Sequence, residues 1–242
     1  MPSLPSPIPI ESEHSELSPS SSDKWMVCHA WRRLNVGIVE PPSSAAAEEG
    51  TQAHALLENI LNYHHRDWVY SPKDPIMGGH IEGVMRWVRR QKGTIVSEGQ
   101  IDFGSEFGYV GLFGTADVVI VSPNQLTVCD LKYGRGLVEV EDNSQLMIYL
   151  LGAIAKYGKR KKYRIVIMQP RADHFKGPIR QVVVPATKLN KFKVELQKAI
   201  AGNYANSPPT IGPHCRKFCK ALAVCPGVRN HAMKLFKETA YE

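Results

Sequence analysis

The sequence predicts an α/β domain in which a mixed central β-sheet is flanked by helices, with a cysteine cluster at its C-terminal end. Three observations carry that prediction. Short runs rich in Val, Ile and Thr alternate with segments of helical periodicity, in the order helix, strands, helix, strands, helix. Gly, Pro and Asn punctuate the chain between those runs. The 242 residues are 43% hydrophobic and 22% charged, an ordinary soluble composition with enough apolar material for a full core.

Taken in order, residues 1–22, "MPSLPSPIPIESEHSELSPSSS", are rich in Ser, Pro and Glu without a period, and read as a disordered tail. The main domain is expected over residues 23–227. In "SSAAAEEGTQAHALLENILNYHH" the apolar positions Ala53, Leu56, Leu57, Ile60 and Leu61 have the spacing of an amphipathic helix, which sets His54 and Glu58 one turn apart. Three strand-like runs follow, "GQIDFG", "YVGLFGTADVVIVS" and "QLTVCDLKYG". "DNSQLMIYLLGAIAKYG" predicts a second helix, capped by Asn143 or Ser144 and stopped at Gly158. "YRIVIMQ" and "RQVVVP" predict two more strands, and "ATKLNKFKVELQKAIAG" a third helix. After "NSPPTIGP" comes a cysteine cluster at 214–226, "HCRKFCKALAVC" onward, and then a basic tail over 228–242.

Several classes are disfavoured. No run reaches the roughly 18 apolar residues of a membrane span. The first residues lack the basic and apolar regions of a secretory signal, so a cytoplasmic location is expected. Thirty Lys plus Arg against 23 Asp plus Glu give a net charge of +7, a field that attracts polyanions without proving that one binds. Five cysteines, an odd number, argue against a disulfide framework and for metal ligation or burial.

The chemistry concentrates where "GTADVVIVSPNQLTVCDLK" turns at Ser122–Gln125. Any even loop centred on Pro123–Asn124 pairs residues whose numbers sum to 247, which sets Asp117 opposite Asp130 with Cβ atoms roughly 4.5–5.5 Å apart. Pro123 disfavours the primed turns of tight hairpins, and a three-residue loop would shift this register. Two facing carboxylates repel, so the arrangement calls for a divalent cation with oxygen ligands. Strand alternation puts Lys132 on the same face and turns Leu131 the other way, leaving the Leu131 carbonyl available as a further ligand. Acids, a lysine and a hard cation together suit phosphodiester hydrolysis. Gln145 and Tyr149, four apart on the next helix, share a face and are placed to orient the lysine or to meet a phosphate. Singly, each element has a plain reading: a D-x-K at a strand end is ordinarily a solvated edge, and a lone histidine ordinarily structural. Because Asp130 and Lys132 sit at a strand end, their substitution is expected to spare the fold.

His54 in "GTQAH", Asp117 in "GTAD", Asp130 and Lys132 in "DLK", and Gln145 with Tyr149 as Q-x-x-x-Y resemble the RecB-like branch of the PD-(D/E)xK nuclease superfamily. "SSSDKWMVC", "EEGTQAH", "GTADVVI", "DLKYGRG", "NSQLMIYLLGA" and "QPR" are similar to a group of phage and bacterial RecB-like proteins, over about Ser21 to Pro226. The resemblance implies a restriction-endonuclease-like core and exonucleolytic DNA hydrolysis with Mg²⁺ or Mn²⁺, in phage or bacterial recombination or replication. It makes Asp117, Asp130 and the Leu131 carbonyl metal ligands, His54 an extra ligand, Lys132 the catalytic lysine, and Gln145 and Tyr149 supports. Arg171 in "QPR", which follows a strand expected to flank the site, is a candidate DNA contact together with Arg135 in "DLKYGRG" and Tyr149. DNA is the implied partner, with a single-strand annealing or recombination protein beside it. A nicking or structure-specific endonuclease, and a binding module that has lost turnover, remain open alternatives. Glu58 is a weaker candidate, while Glu98 and Asp102, on an earlier strand, read as structural.

Cys28 with Cys215, Cys219 and Cys225 resembles the iron–sulfur staple of AddB-type nucleases, which implies a [4Fe–4S] cluster joining the two ends of the domain. Zinc is the alternative on ligand type alone. The spacing departs from the usual C-x-x-C, as if Arg216 or Lys217 were inserted, which makes His214 a possible replacement ligand. Cys129 reads as core. The runs "KYGKRKKYR" and "MRWVRRQKG" mix Lys and Arg with aromatics, as phosphate-contacting segments or plain solvated faces do.

Overall fold

The computed structural model describes residues 15–39, 42–62, 74–216 and 219–239. Helices α1 (Ser22–Trp25), α2 (Trp31–Asn35), α3 (Ala45–Asn62) and α4 (Pro75–Arg89) lead into strands β1 (Thr94–Asp102), β2 (Phe113–Val121) and β3 (Gln125–Leu131). Then follow α5 (Ser144–Tyr157), β4 (Lys162–Met168), β5 (Ile179–Val183), α6 (Ala186–Tyr204), α7 (Pro213–Arg216) and α8 (Pro226–Thr239). The strands form one sheet in sequence order, antiparallel except for β3 and β4, which run parallel because α5 carries the chain back across the sheet. This is the mixed α/β architecture that the alternating patterns predict.

The hairpin register is the expected one. Val118 pairs with Cys129 and Val121 with Leu126, and Ser122 N donates to Gln125 O at 2.9 Å across a two-residue loop. Neither Pro123 nor Asn124 has positive φ, so the turn closes without a primed geometry.

Each sheet face buries its own layer. Val119, Val128, Ile165 and Ile167 pack under α5 and α6 together with Trp25 and Trp31. Val118, Ile120, Cys129, Leu131 and Val166 pack under α3 and α4. Cys129 is thus a core residue, and burial pushes its thiol pKa up. Helix α5 starts where expected, with the Asn143 side chain accepting from Leu146 N at 3.0 Å, and stops at Gly158, whose φ of 81° suits glycine.

Three boundaries differ from expectation. Ordered chain begins before Asp23: Leu17 is fully buried in the core, and Trp25 Nε1 donates to Ser18 O at 2.8 Å. Helix α4 occupies a stretch read in part as a basic segment, and residues 228–239 of the expected tail belong to α8. The end of the first predicted helix, at His64 and His65, lies outside the described residues. Among the described residues no helix is long and apolar enough to cross a membrane.

Candidate active site

The carboxyl end of β3, the facing part of β2 and the first turns of α5 bring the predicted residues together. Asp117 is buried and held on both oxygens: His54 Nδ1 lies 3.0 Å from Oδ1, and Leu131 N donates to Oδ2 at 2.5 Å. Asp130 is 2% exposed. Its Oδ1 accepts from Gln145 Nε2 at 2.8 Å, and Lys132 Nζ stands 2.9 Å from its Oδ2 as an ion pair. The same ammonium donates to Gln145 Oε1 at 2.9 Å, so lysine, acid and amide form a closed triangle. Leu131 buries its side chain under α3 and α4, on the face opposite Asp130, as alternation requires.

Burial sets the electrostatics. It pushes the Asp130 carboxyl up, against the opposing pull of Lys132, while the charge of Asp117 pushes the same way as burial. Lys132 is also shifted up: burial alone would lower it, and the carboxylate of Asp130 outweighs that cost. His54 follows the same logic, with desolvation overcome by its bond to Asp117.

One residue read as structural belongs to the site. Glu98 stands in β1 between the pairs Ser97–Val118 and Gly99–Ala116, which sets it beside Asp117 on the neighbouring strand. Its φ is 46°, a left-handed conformation uncommon for a side-chain-bearing residue. Ligand atoms of His54, Glu98 and Asp117 all lie within 4.8 Å of one another. Burial, then Asp117 and Glu58, push the Glu98 carboxyl up to about 7. Asp102 is structural as expected: its carboxylate caps the turn at 105–107, accepting from Gly104 N and Ser105 N at 2.9 Å each.

Of the expected DNA contacts Tyr149 is corrected, and Arg171 and Arg135 are placed. Tyr149 is 4% exposed and packed in the core, approaching Gln145, so it supports that amide and has no surface to offer DNA. Arg171 pairs with Glu49 of α3, and its guanidinium lies 4.8 Å over the ring of Tyr133. Arg135 is exposed on the loop after β3. The basic runs gather at the opposite end of the sheet: Arg160 Nε donates to Ser122 O at 2.8 Å, and Arg164 Nη2 to Gln91 Oε1 at 2.8 Å. That end is separated from Asp130 by the length of β3, about 20 Å at the rise of a strand, too far for a phosphate in the site. Asp130 is buried although it lies near the end of a strand, so the acid–lysine pair is less peripheral than its position suggests.

Cys28, Cys215, Cys219 and Cys225 line one small cavity together with Trp31, His214 and Leu222. The chain's early and late segments therefore meet there. No three of these sulfurs lie within 4.8 Å of one another, since among the described residues His54, Glu98 and Asp117 form the one such group. Lys217 lies outside the described residues.

Solved structures show distant likenesses in architecture. A candidate exonuclease from Eubacterium rectale is 15% identical, with 88% of this chain and 94% of that chain covered and a TM-score of 0.46. LHK-Exo in complex with dAMP is 12% identical, with 72% and 74% covered and a TM-score of 0.40. A phage-related exonuclease from Haemophilus somnus 129PT is 14% identical, with 71% and 90% covered and a TM-score of 0.32. The family model DUF2800, described as a protein of unknown function, matches residues 14–242, and the chain belongs to that family.

Proposed function

We propose that the chain is a Mg²⁺- or Mn²⁺-dependent deoxyribonuclease of the PD-(D/E)xK superfamily, in its RecB-like branch, degrading DNA from ends. The observation that carries this reading is the triangle of Asp130, Lys132 and Gln145 one strand away from the His54–Asp117 pair. The donor set suits a divalent cation: one imidazole, carboxylates on neighbouring strands, and the buried Asp130 Oδ2, which accepts no hydrogen bond of good geometry. His54, Glu98, Asp117, Asp130 and the Leu131 carbonyl are the residues that would hold it. The bound ion would polarise the scissile phosphate and lower the pKa of a bound water.

The protein's own side chains do the rest. Lys132, fixed by Asp130 and Gln145, places a positive charge where negative charge develops on the phosphoryl oxygens. Gln145 keeps lysine and acid in register, and Asp117 ties the imidazole of His54 to the backbone of β3.

The cysteines belong to the same proposal as ligands of a [4Fe–4S] cluster. Four thiols around one cavity suit either metal group in ligand type. The one-plus-three layout of Cys28 with Cys215, Cys219 and Cys225, which resembles the AddB-type staple, is what favours the cluster over zinc. Residues 15–227 then form one nuclease domain with the cluster inside it. DNA is the substrate, a recombination or annealing protein the partner, and the cytoplasm the location.

End-labelled linear DNA and covalently closed circles, each incubated with Mn²⁺, test the reading. Progressive loss of label with intact circles is expected. Circles cut as fast as linear DNA would replace the exonuclease by an endonuclease, and inertness toward both would leave a binding module.

A further inference from the structure

Residues 169–178, between β4 and β5, stand beside the proposed site without a part in it. Because β4 runs parallel to β3, with Met168 level with Leu131 and Lys132 N donating to Met168 O at 2.9 Å, this loop emerges at the same end of the sheet. Its base is anchored. Gln169 is fully buried, its Nε2 donating to Gly134 O at 3.0 Å and Gly136 O at 2.8 Å, and its Oε1 accepting from Arg180 Nη2 at 2.6 Å. Arg171 adds its pairing with Glu49 of α3.

Beyond these anchors His174–Gly177 form a tight turn, closed by Gly177 N to His174 O at 2.8 Å and braced by Lys176 N to His174 Nδ1 at 3.0 Å. Gly177 takes the φ of 81° that the exit from the turn requires. At the apex is Phe175, 90% exposed. One face of its ring is backed by His174, centroid to centroid 4.6 Å and 24° from parallel, and Lys176 Nζ lies 5.6 Å from its centroid.

A single exposed apolar residue ordinarily means nothing. Here the ring is fixed in advance by a braced turn and a stacked imidazole, so little side-chain freedom is lost on binding. Its surroundings are polar rather than apolar, with His174 stacked on it, Asp173 exposed and Lys176 reaching Glu141 at 3.3 Å, which disfavours an apolar protein surface. The loop's place at the site end of the sheet favours a flat ring of the substrate strand. We propose that Phe175 stacks on a nucleobase of an unpaired strand whose phosphate lies in the active site, making single-stranded DNA or a frayed end the bound form. The inference rests on the nuclease reading. Duplex bases already stack on each other and have no face to offer the loop, whereas unpaired bases do.

The test is fluorescence anisotropy with Ca²⁺ in place of Mn²⁺, which fills a hard-cation site while slowing hydrolysis, with a single-stranded oligonucleotide and a blunt hairpin duplex, and with 2-aminopurine at the strand terminus. Phe175→Ala should weaken single-strand binding on the order of tenfold. It should leave duplex binding and the thermal midpoint unchanged and abolish the 2-aminopurine quench. Phe175→Trp should restore both affinity and quench. Equal single-strand affinity in wild type and Phe175→Ala, or equal losses on both DNAs, overturns the stacking role while leaving the nuclease reading in place. Wild-type protein that binds neither DNA overturns both.

Discussion

Replacing Lys132 by Ala removes the ammonium 2.9 Å from a carboxylate that is 2% exposed, leaving Asp130 the Gln145 amide. Breaking a buried pair from one side costs about 3–5 kcal/mol, because the remaining charge is left desolvated. The Lys132 side chain is 27% exposed, so water enters and screens part of that charge. The expected loss at pH 8 is therefore about 2–3 kcal/mol, or roughly 4–12 °C in Tm for a chain of this size. The sign with pH follows from Asp130. Burial already holds its carboxyl above the ordinary value, and loss of Lys132 raises it further. A carboxyl with a raised folded pKa contributes stability that is present below its unfolded value of about 3.9 and lost as pH rises through the folded one. The variant's deficit should thus be largest at pH 8 and shrink toward pH 5, where Asp130 takes up a proton. Thermal unfolding by circular dichroism, without divalent metal, measures it at both pH values. Lys132→Ala combined with Asp130→Asn should recover most of the stability and none of the activity. A deficit that is the same at pH 5 and pH 8, or absent at pH 8, would refute the buried-pair reasoning. Nuclease activity of the single variant should fall at least about 10²-fold, the scale of losing one charge-stabilising group.

The thermal stabilisation given by Mn²⁺ should grow between pH 6 and pH 8, since Glu98, held up to about 7 by burial, and His54, also shifted up, must both shed protons to ligate. In the metal-free protein Glu98 acts in the opposite sense, its contribution being lost as pH rises through about 7, so a pH-independent Mn²⁺ effect would contradict its place in the site. Protein purified without oxygen should be brown and carry iron and sulfide in equal amounts, and Cys225→Ser should bleach it and lower its solubility; colourless protein with stoichiometric zinc would replace the cluster by a zinc staple. Gly152→Ala should destabilise markedly, because a Cβ there would meet Ile101 Cγ2 at 2.2 Å and the Asp102 carbonyl oxygen at 2.6 Å; an unchanged Tm would contradict the close packing of α5 on β1.

What could be read from the sequence tracks how far each inference had to reach. Asp117 opposite Asp130 follows from a two-residue turn and a period of two, and the structure keeps that register through four recorded pairs. Gln145 depends on one helix start that Asn143 announces, and it lands on both Lys132 and Asp130. Helix α4 had a readable stripe in Met77, Ile81, Val84 and Val88, all buried, but Gly78, Gly79 and Gly83 in the same stretch obscured it. Leu17 is one apolar side chain in a Ser- and Pro-rich stretch, and composition averages it away although it packs with Trp25.

Glu98 shows why the site itself was incompletely legible. Its place beside Asp117 depends on how β1 pairs with β2, and those strands are joined by residues 103–112, which include two glycines with positive φ. No tight turn ties the two registers together, so a shift of one residue, which would send Glu98 to the opposite face, leaves the local pattern equally acceptable. The left-handed φ of Glu98 adds a local break in the alternation that no propensity announces. The basic runs fail for the complementary reason: charge density is a local property, whereas which end of the sheet a segment occupies is set by strand directions. Lys156–Arg164 leads into and opens β4, a strand parallel to β3, so it must lie at the start of β3, while the candidate site lies at its end. Parallel pairing of β3 with β4 therefore both removes the basic run from the site and delivers residues 169–178 to it. Topology, more than charge, decides which loop can meet the substrate.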